Sequence, residues 1–350
     1  MRSASSLGAL LGWQALSLLL TVTGVCSQRL AALGVDAPTA QSGMAYALLA
    51  LHWVPLWMRR RHRRLAGTLA RPTLPWWQWL ALAVADVEAN YLLVKAYQYT
   101  DLCSVTVLDA FTVPTVMALS ATFLHVRYSA RQCGAAVLCI AGIVALFASD
   151  LIRVDASFPQ AWLGDVLVLA GAALYGVSNV AQEHLLRQRL DDRVEYLAHL
   201  GAYGAAIALI QSAVLEREAL SAAWAGAGGS ASGAWERLGL GAAFVLALTC
   251  FYVGVAFLLE RGSSATTMNL SLLTSDFWSV AAGLTLLQAS PGIVYALAFA
   301  LVVIGLALYH WDGGGASPRL LETPPPLTPP HEPTADADDD RRSRTSELCY

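Results

Sequence analysis

The chain has 350 residues, of which 56% are hydrophobic and only 13% charged. A soluble domain of this size carries about 25% charge, so the composition excludes an ordinary water-soluble enzyme or binding domain and points to a polytopic membrane protein. The net charge of −3 decides nothing further; the placement of the charges is informative.

Apolar windows of about 20 residues recur along the chain and predict ten transmembrane helices, over approximately 7–27, 40–58, 76–99, 104–124, 131–149, 161–185, 195–215, 238–259, 264–288 and 291–310. In the first, Gln14, Ser17, Thr21, Gly24 and Gln28 fall in one arc at 100° per residue, which suits a cavity-facing helix and argues against a cleaved leader. After the second span comes the basic run RRRHRR. Trp53, Trp57, Trp76, Trp77 and Trp79 flank it as an interfacial belt, so it reads as an anchor to anionic membrane lipid, with no role in nucleic-acid binding.

The third span, Trp76 to Tyr99, is the most informative. Its 24 positions would run roughly 36 Å as a helix at about 1.5 Å per residue, long enough to cross a bilayer with the midplane near Glu88. Yet it carries Asp86, Glu88, Asn90 and Lys95, the single lysine of the chain. Each acid costs on the order of 3 kcal/mol at a helix centre, so such residues are expected to face a watery cavity. Asp86, Asn90 and Tyr97 share one face, while Glu88, Tyr91, Lys95 and Tyr99 lie roughly opposite. The sequence does not decide which face looks inward. Glu88 and Lys95 are about 10 Å apart along the axis, too far for an ion pair within the helix. Lys95 either snorkels to the nearer surface or serves the substrate or a gate.

In the fourth span Asp109 lies near one end and Pro114 near the middle, where the missing N–H allows local unwinding or a simple packing kink. Tyr175, Ser178, Asn179, Gln182 and Glu183 share an arc of the sixth span, with Gln182 and Glu183 expected to be peripheral or gating. Residues 216–237 are rich in Gly, Ala and Ser and predict a flexible outer loop. The ninth span places Asp276 near its middle and Asn269 seven residues earlier on the same face, among several hydroxyls. The sequon formed by Asn269 and Ser271 lies inside that span and is expected to be unused. From 311 to 350 the chain has no apolar face to bury and predicts a disordered cytosolic tail. The six cysteines lack metal-ligand spacing and read as packing residues, so no cofactor or metal is expected.

Arginine placement sets the topology. With the N-terminus inside, 17 arginines fall on inner segments and four on outer ones, which puts both termini in the cytosol of a plasma-membrane or endomembrane (Golgi or endosome) protein. SVTVLD from Ser104 matches SATTMN from Ser264 at a constant offset of 160. Residues 1–150 and 151–310 are thus expected to be two five-helix repeats. An odd number of spans per repeat inverts the second, with the site between them. The predicted fold is all-α: ten transmembrane helices as two inverted five-helix repeats.

Asp86, Glu88, Asp109 and Asp276 face a single Lys95, and no arginine cluster is buried with them. A nucleotide sugar, carrying two or more negative charges, would want arginines. An acidic cavity edged with Tyr91, Tyr97, Tyr99 and Tyr175 better suits a neutral or cationic ring compound, with a proton on one carboxylate as candidate coupling ion.

The strings ADVEANY from Ala85, KAYQYT from Lys95, SVTVLD, LYGVSN from Leu174 and SSATTMNLSLLTSD from Ser263 resemble solute carrier family 35, subfamily F, in its F1/F2 branch, over about residues 7–310. The resemblance implies the drug/metabolite transporter fold, alternating access and a nucleobase-like or nucleoside-like micronutrient of the queuine kind, or a cationic heteroaromatic compound, as solute. Where relatives commonly carry paired acids late in the sixth span, this chain has Gln182 then Glu183. A Golgi-type nucleotide-sugar antiporter is the second reading and an ion channel the third. An intramembrane hydrolase finds no Gly-x-Gly-Asp motif, metal set or nucleophile elbow, so no enzyme is expected. The carrier is expected to act as a monomer or homodimer.

Overall fold

The computed structural model describes residues 2–65, 74–123, 127–152, 159–186, 193–219, 221, 231–261, 265–287 and 292–310. The elements are α1 (Arg2–Ala32), α2 (Pro38–Ala50), α3 (Trp53–Leu65), α4 (Trp76–Ala96), α5 (Leu102–Asp109), α6 (Thr112–Phe123), α7 (Ala130–Ile152), α8 (Ala161–His184), α9 (Arg193–Leu215), α10 (Ala231–Glu260), α11 (Ala265–Thr285) and α12 (Ile293–His310). Among the described residues, six helical segments are long and apolar enough to cross a bilayer: Leu11–Ala32, Leu102–Phe123, Ala130–Ser149, Ala161–His184, Arg193–Leu215 and Gly233–Glu260. The remaining expected spans fall short of that criterion for visible reasons. Turn residues Leu51 and His52 divide the second into α2 and α3. Acids and hydroxyls dilute the apolar character of α4 and α11, and Ile293–Gly305 of α12 is apolar but shorter.

Local chemistry sets the helix ends. Pro38 opens α2, where a missing N–H does no harm. Asp101 caps α5 by accepting from the Ser104 amide at 2.9 Å. The fourth span breaks between α5 and α6 because Pro114 has no proton for the Ala110 carbonyl; the chain tightens instead, with the Val113 amide donating to that carbonyl at 3.1 Å and the Phe111 amide to Leu108 at 3.0 Å. Asp109 and Thr112 flank the break. Of the segment read as a loop over 216–237, Glu216 is buried, residues 217–219 and those from Ala231 onward are helical, and residues 222–230 lie outside the described residues. Residues 311–350 lie outside the described residues.

The helices pack α2 and α3 on α9, α4 on α8, α1 on α10, α1 on α11, α5 and α6 on α8, α5 and α6 on α11, α4 on α9, α2 on α10 and α7 on α12. Two columns are closest. A Cβ at Gly142 of α7 would lie 2.8 Å from the Ala298 carbonyl of α12, and one at Gly305 of α12 would lie 2.8 Å from the Ala135 carbonyl of α7. In the other column a Cβ at Gly201 of α9 would sit 2.3 Å from the Ala50 nitrogen of α2. Small residues permit this approach where lipid supplies no hydrophobic drive.

The α2–α3–α9 column is also fastened at both ends. Glu216, just beyond α9, accepts from the first-turn amides of Thr39 and Ala40 at 2.5 and 2.9 Å. At the opposite end Arg60 of α3 pairs with Glu195 of α9 at 2.8 Å.

Candidate functional site

A cavity of about 150 Å³ lies among α1, α4, α5, α6, α8, α10 and α11. Leucine, valine and phenylalanine side chains of α4, α5 and α10 supply its apolar walls. Of the two faces of α4, the one bearing Asp86, Asn90 and Tyr97 lines the cavity. Asp109, Tyr175, Asn179, Gln182 and Asp276 line it as well. Its lining residues thus include three carboxylates and, among the described residues, no lysine, arginine or histidine.

Asp86 is 3% exposed and is the centre of a hydrogen-bonded cluster. Its carboxylate accepts from Tyr46 of α2 at 2.6 Å, from Ser178 of α8 at 2.7 Å and from Tyr252 of α10. Asn90, one turn along α4, donates to the hydroxyls of Tyr46 and Tyr252 at 2.8 Å each. Four helices are joined through one carboxylate. Sequence reasoning missed Tyr46 and Tyr252, since each is a single tyrosine in an apolar run; the signal available was that a buried phenol needs a partner.

Asp109 and Asp276 are held more loosely. Thr112 approaches Asp109 at 3.5 Å, and Ser275 approaches Asp276 at the same distance, long for a hydroxyl-to-carboxylate bond. Pro114 sits beside the site, not in its lining: it creates the break that presents Asp109, Ala110 and Thr112 to the cavity.

The other face of α4 points elsewhere. Glu88 accepts from Gln211 of α9 at 3.3 Å, and Tyr91 on that side is half-buried. Lys95 forms a two-pronged ion pair with Asp36 in the α1–α2 connection, at 2.5 and 2.6 Å, and Gln98 donates to the Val35 carbonyl beside it at 2.9 Å. None of Glu88, Tyr91 and Lys95 lines the cavity. The ammonium of Lys95 thus reaches along the helix to Asp36 and away from the cavity. Glu183 also lies off the cavity, and the side chain of Asn269 is outside the described residues.

The polar arc of α1 is rotated from its expected role. Of its five residues only Gly24 lines the cavity, joined by Leu20, Thr23 and Ser27. Ser17 and Thr21 bond back to Trp13 and Ser17 carbonyls at 3.0 and 3.1 Å, and Thr21 also reaches the Ser275 carbonyl of α11 at 3.2 Å. Back-bonding satisfies these hydroxyls inside the helix, so they serve helix packing. The five cysteines that are described are all free: Cys26, Cys103 and Cys139 are buried, as packing residues should be, whereas Cys133 and Cys250 are exposed.

The model of the solute carrier family 35 family, in its F branch, matches residues 4–311. The chain belongs to that family. It is 35% identical over 322 residues to mouse solute carrier family 35 member F2, covering 91% of this chain and 81% of the relative. The Xenopus tropicalis protein of the same name is 34% identical over 284 residues, 78% of this chain and 68% of that one. A Schizosaccharomyces pombe family member is 36% identical over 300 residues, covering 85% of this chain and 56% of the longer relative. A solved crystal structure of another protein aligns with a TM-score of 0.55 at 17% identity, over 87% of this chain and 97% of that one, which speaks to fold alone. As a family member with six helices of membrane-spanning length among its described residues, the chain is a membrane-embedded solute carrier.

Proposed function

We propose that the protein is a secondary carrier for a small neutral or cationic organic solute, nucleobase-like or nucleoside-like, working by alternating access around the cavity. The observation that carries this reading is the cavity's charge: Asp86, Asp109 and Asp276 line it, and the nearby cations are engaged elsewhere, Lys95 with Asp36 and Arg29 with the Leu286 carbonyl. Such a lining repels an anion and favours a cation, or a neutral ring that donates hydrogen bonds. A nucleotide sugar would bring at least two negative charges against three carboxylates, so nothing in the site favours that second reading.

Helix pairing supports two inverted five-span repeats. Counting α2 with α3 and α5 with α6 as single spans gives ten. Exchanging each span with the one five places later turns α4 on α8 into α10 on α1, α5 and α6 on α8 into α11 on α1, and α4 on α9 into α10 on α2. It returns α2–α3 on α9, α5–α6 on α11 and α7 on α12 to themselves. Such invariance is what a pseudo-twofold axis between two halves produces. Arginine placement supports cytosolic termini.

Uptake of labelled nucleobases and nucleosides into proteoliposomes tests the reading. Saturable uptake that collapses in Asp276→Asn is expected; wild-type rates in that variant reject the site. Trans-stimulation by a nucleoside monophosphate would instead favour a nucleotide-sugar exchanger.

A further inference from the structure

The cluster around Asp86 fixes the direction of the protons within it. A carboxylate only accepts, so Tyr46, Tyr252 and Ser178 all spend their hydroxyl protons on it. Each tyrosine has a single O–H. Toward each other, at 3.3 Å, and toward Asn90 the two phenols therefore present lone pairs alone. The end of the Asn90 side chain that sits 2.8 Å from both must be its amino group. The same nitrogen also lies 3.0 Å from the Asp86 backbone carbonyl, so its two protons are shared among three acceptors. The orientation of a side-chain amide is usually an assignment; here the Asp86 backbone carbonyl, which can only accept, fixes it. What Asn90 has left is its carbonyl oxygen, and Asn90 lines the cavity.

We infer that Asn90 is a specificity-determining residue whose carboxamide oxygen accepts a hydrogen bond from an N–H of the solute, and that Asp86 is a positioning residue that sets this polarity through its backbone carbonyl and through Tyr46 and Tyr252. The inference rests on the carrier reading above and narrows it. Solutes that place an N–H donor against α4 are selected, and rings that offer acceptors alone are rejected because they would face a second oxygen without a proton between. The four helices that build the cluster come from both halves of the chain, so the same residue that orients Asn90 also keeps the tyrosines in register with it.

Adenine, which carries N–H donors, and 9-methylpurine, a neutral ring of similar size without one, are the probes. Uptake of each into proteoliposomes is measured for the wild type, Asn90→Leu and the double variant Tyr46→Phe with Tyr252→Phe, after each variant has been checked for a single monodisperse species. The wild type should favour adenine by about tenfold or more. Asn90→Leu should bring the two rates together. The double variant leaves the Asp86 backbone carbonyl as the acceptor for two amide protons, so it frees an N–H of Asn90 to turn toward the cavity and should narrow the preference even if Asn90→Leu cannot be purified. Equal wild-type uptake of the two rings, or a preference untouched in both variants, overturns the inference and leaves the carrier reading standing. Saturable uptake of neither ring overturns both.

Discussion

Asp86 and Asp276 line the same cavity, yet their surroundings treat the two carboxylates differently. Asp86 accepts three hydroxyl hydrogen bonds from three other helices, and Asn90 completes the cluster behind the phenols. Asp276 has a serine hydroxyl at 3.5 Å, as Asp109 has a threonine at 3.5 Å. A carboxylate saturated by its own protein organises structure; a carboxylate left under-bonded in a cavity is available to something that arrives. Asp86 is also the more buried of the two, and Asp276 keeps partial exposure.

That contrast can be broken by substitution. The largest effect should come from Asp276→Asn, which removes the available charge: uptake is expected to fall about ten- to a hundredfold, as for a lost hydrogen bond to a charged group, with the thermal midpoint in detergent unchanged. Asp86→Ala should do the reverse in stability, leaving three buried hydroxyls without their acceptor and destabilising the fold by about 3 kcal/mol, seen as a lowered midpoint. An unchanged midpoint in that variant would dissolve the distinction between the two acids. Tyr46→Phe, which deletes one bond of the cluster and keeps the ring, should destabilise by about 1 kcal/mol in the same measurement. The smallest effect belongs to Glu88→Gln, whose side chain faces Gln211 away from the cavity: uptake should stay within about twofold of wild type, since partner and shape are retained.

Much of this arrangement is legible in the sequence. Deep acids in α4 and α11, the proline beside Asp109 and the polar arc of α8 announce a cavity, and the structure places Asp86, Asn90, Tyr97, Asp109, Tyr175, Asn179 and Asp276 around one, together with Gln182, which the sequence puts at the periphery or a gate. The face of α4 could not be chosen because both faces carry polar residues: one finds its partners in the cavity cluster, the other in Asp36 and Gln211 from neighbouring elements. Partners on other helices are tertiary facts, and periodicity within one helix carries no trace of them. For the same reason the arc of α1 misled. Serine and threonine at helical spacing look like a wet face, but their hydroxyls can return to the backbone four residues back and leave the surface free to pack. Tyr46 and Tyr252 illustrate the opposite failure: an isolated phenol in an apolar run gives no periodic signal at all.

The column of α2, α3 and α9 has a mechanical consequence. It is pinned by Glu216 at one extremity and by the Arg60–Glu195 bridge at the other, with Gly201 holding the two backbones together between them. A post fastened top and bottom can swivel or lean, but its two members cannot slide or separate without severing a charged contact. None of its residues borders the void. It therefore has the makings of an axle: on the carrier mechanism proposed above, the helices that do border the void would do the moving, against a shaft that keeps its own length and grip.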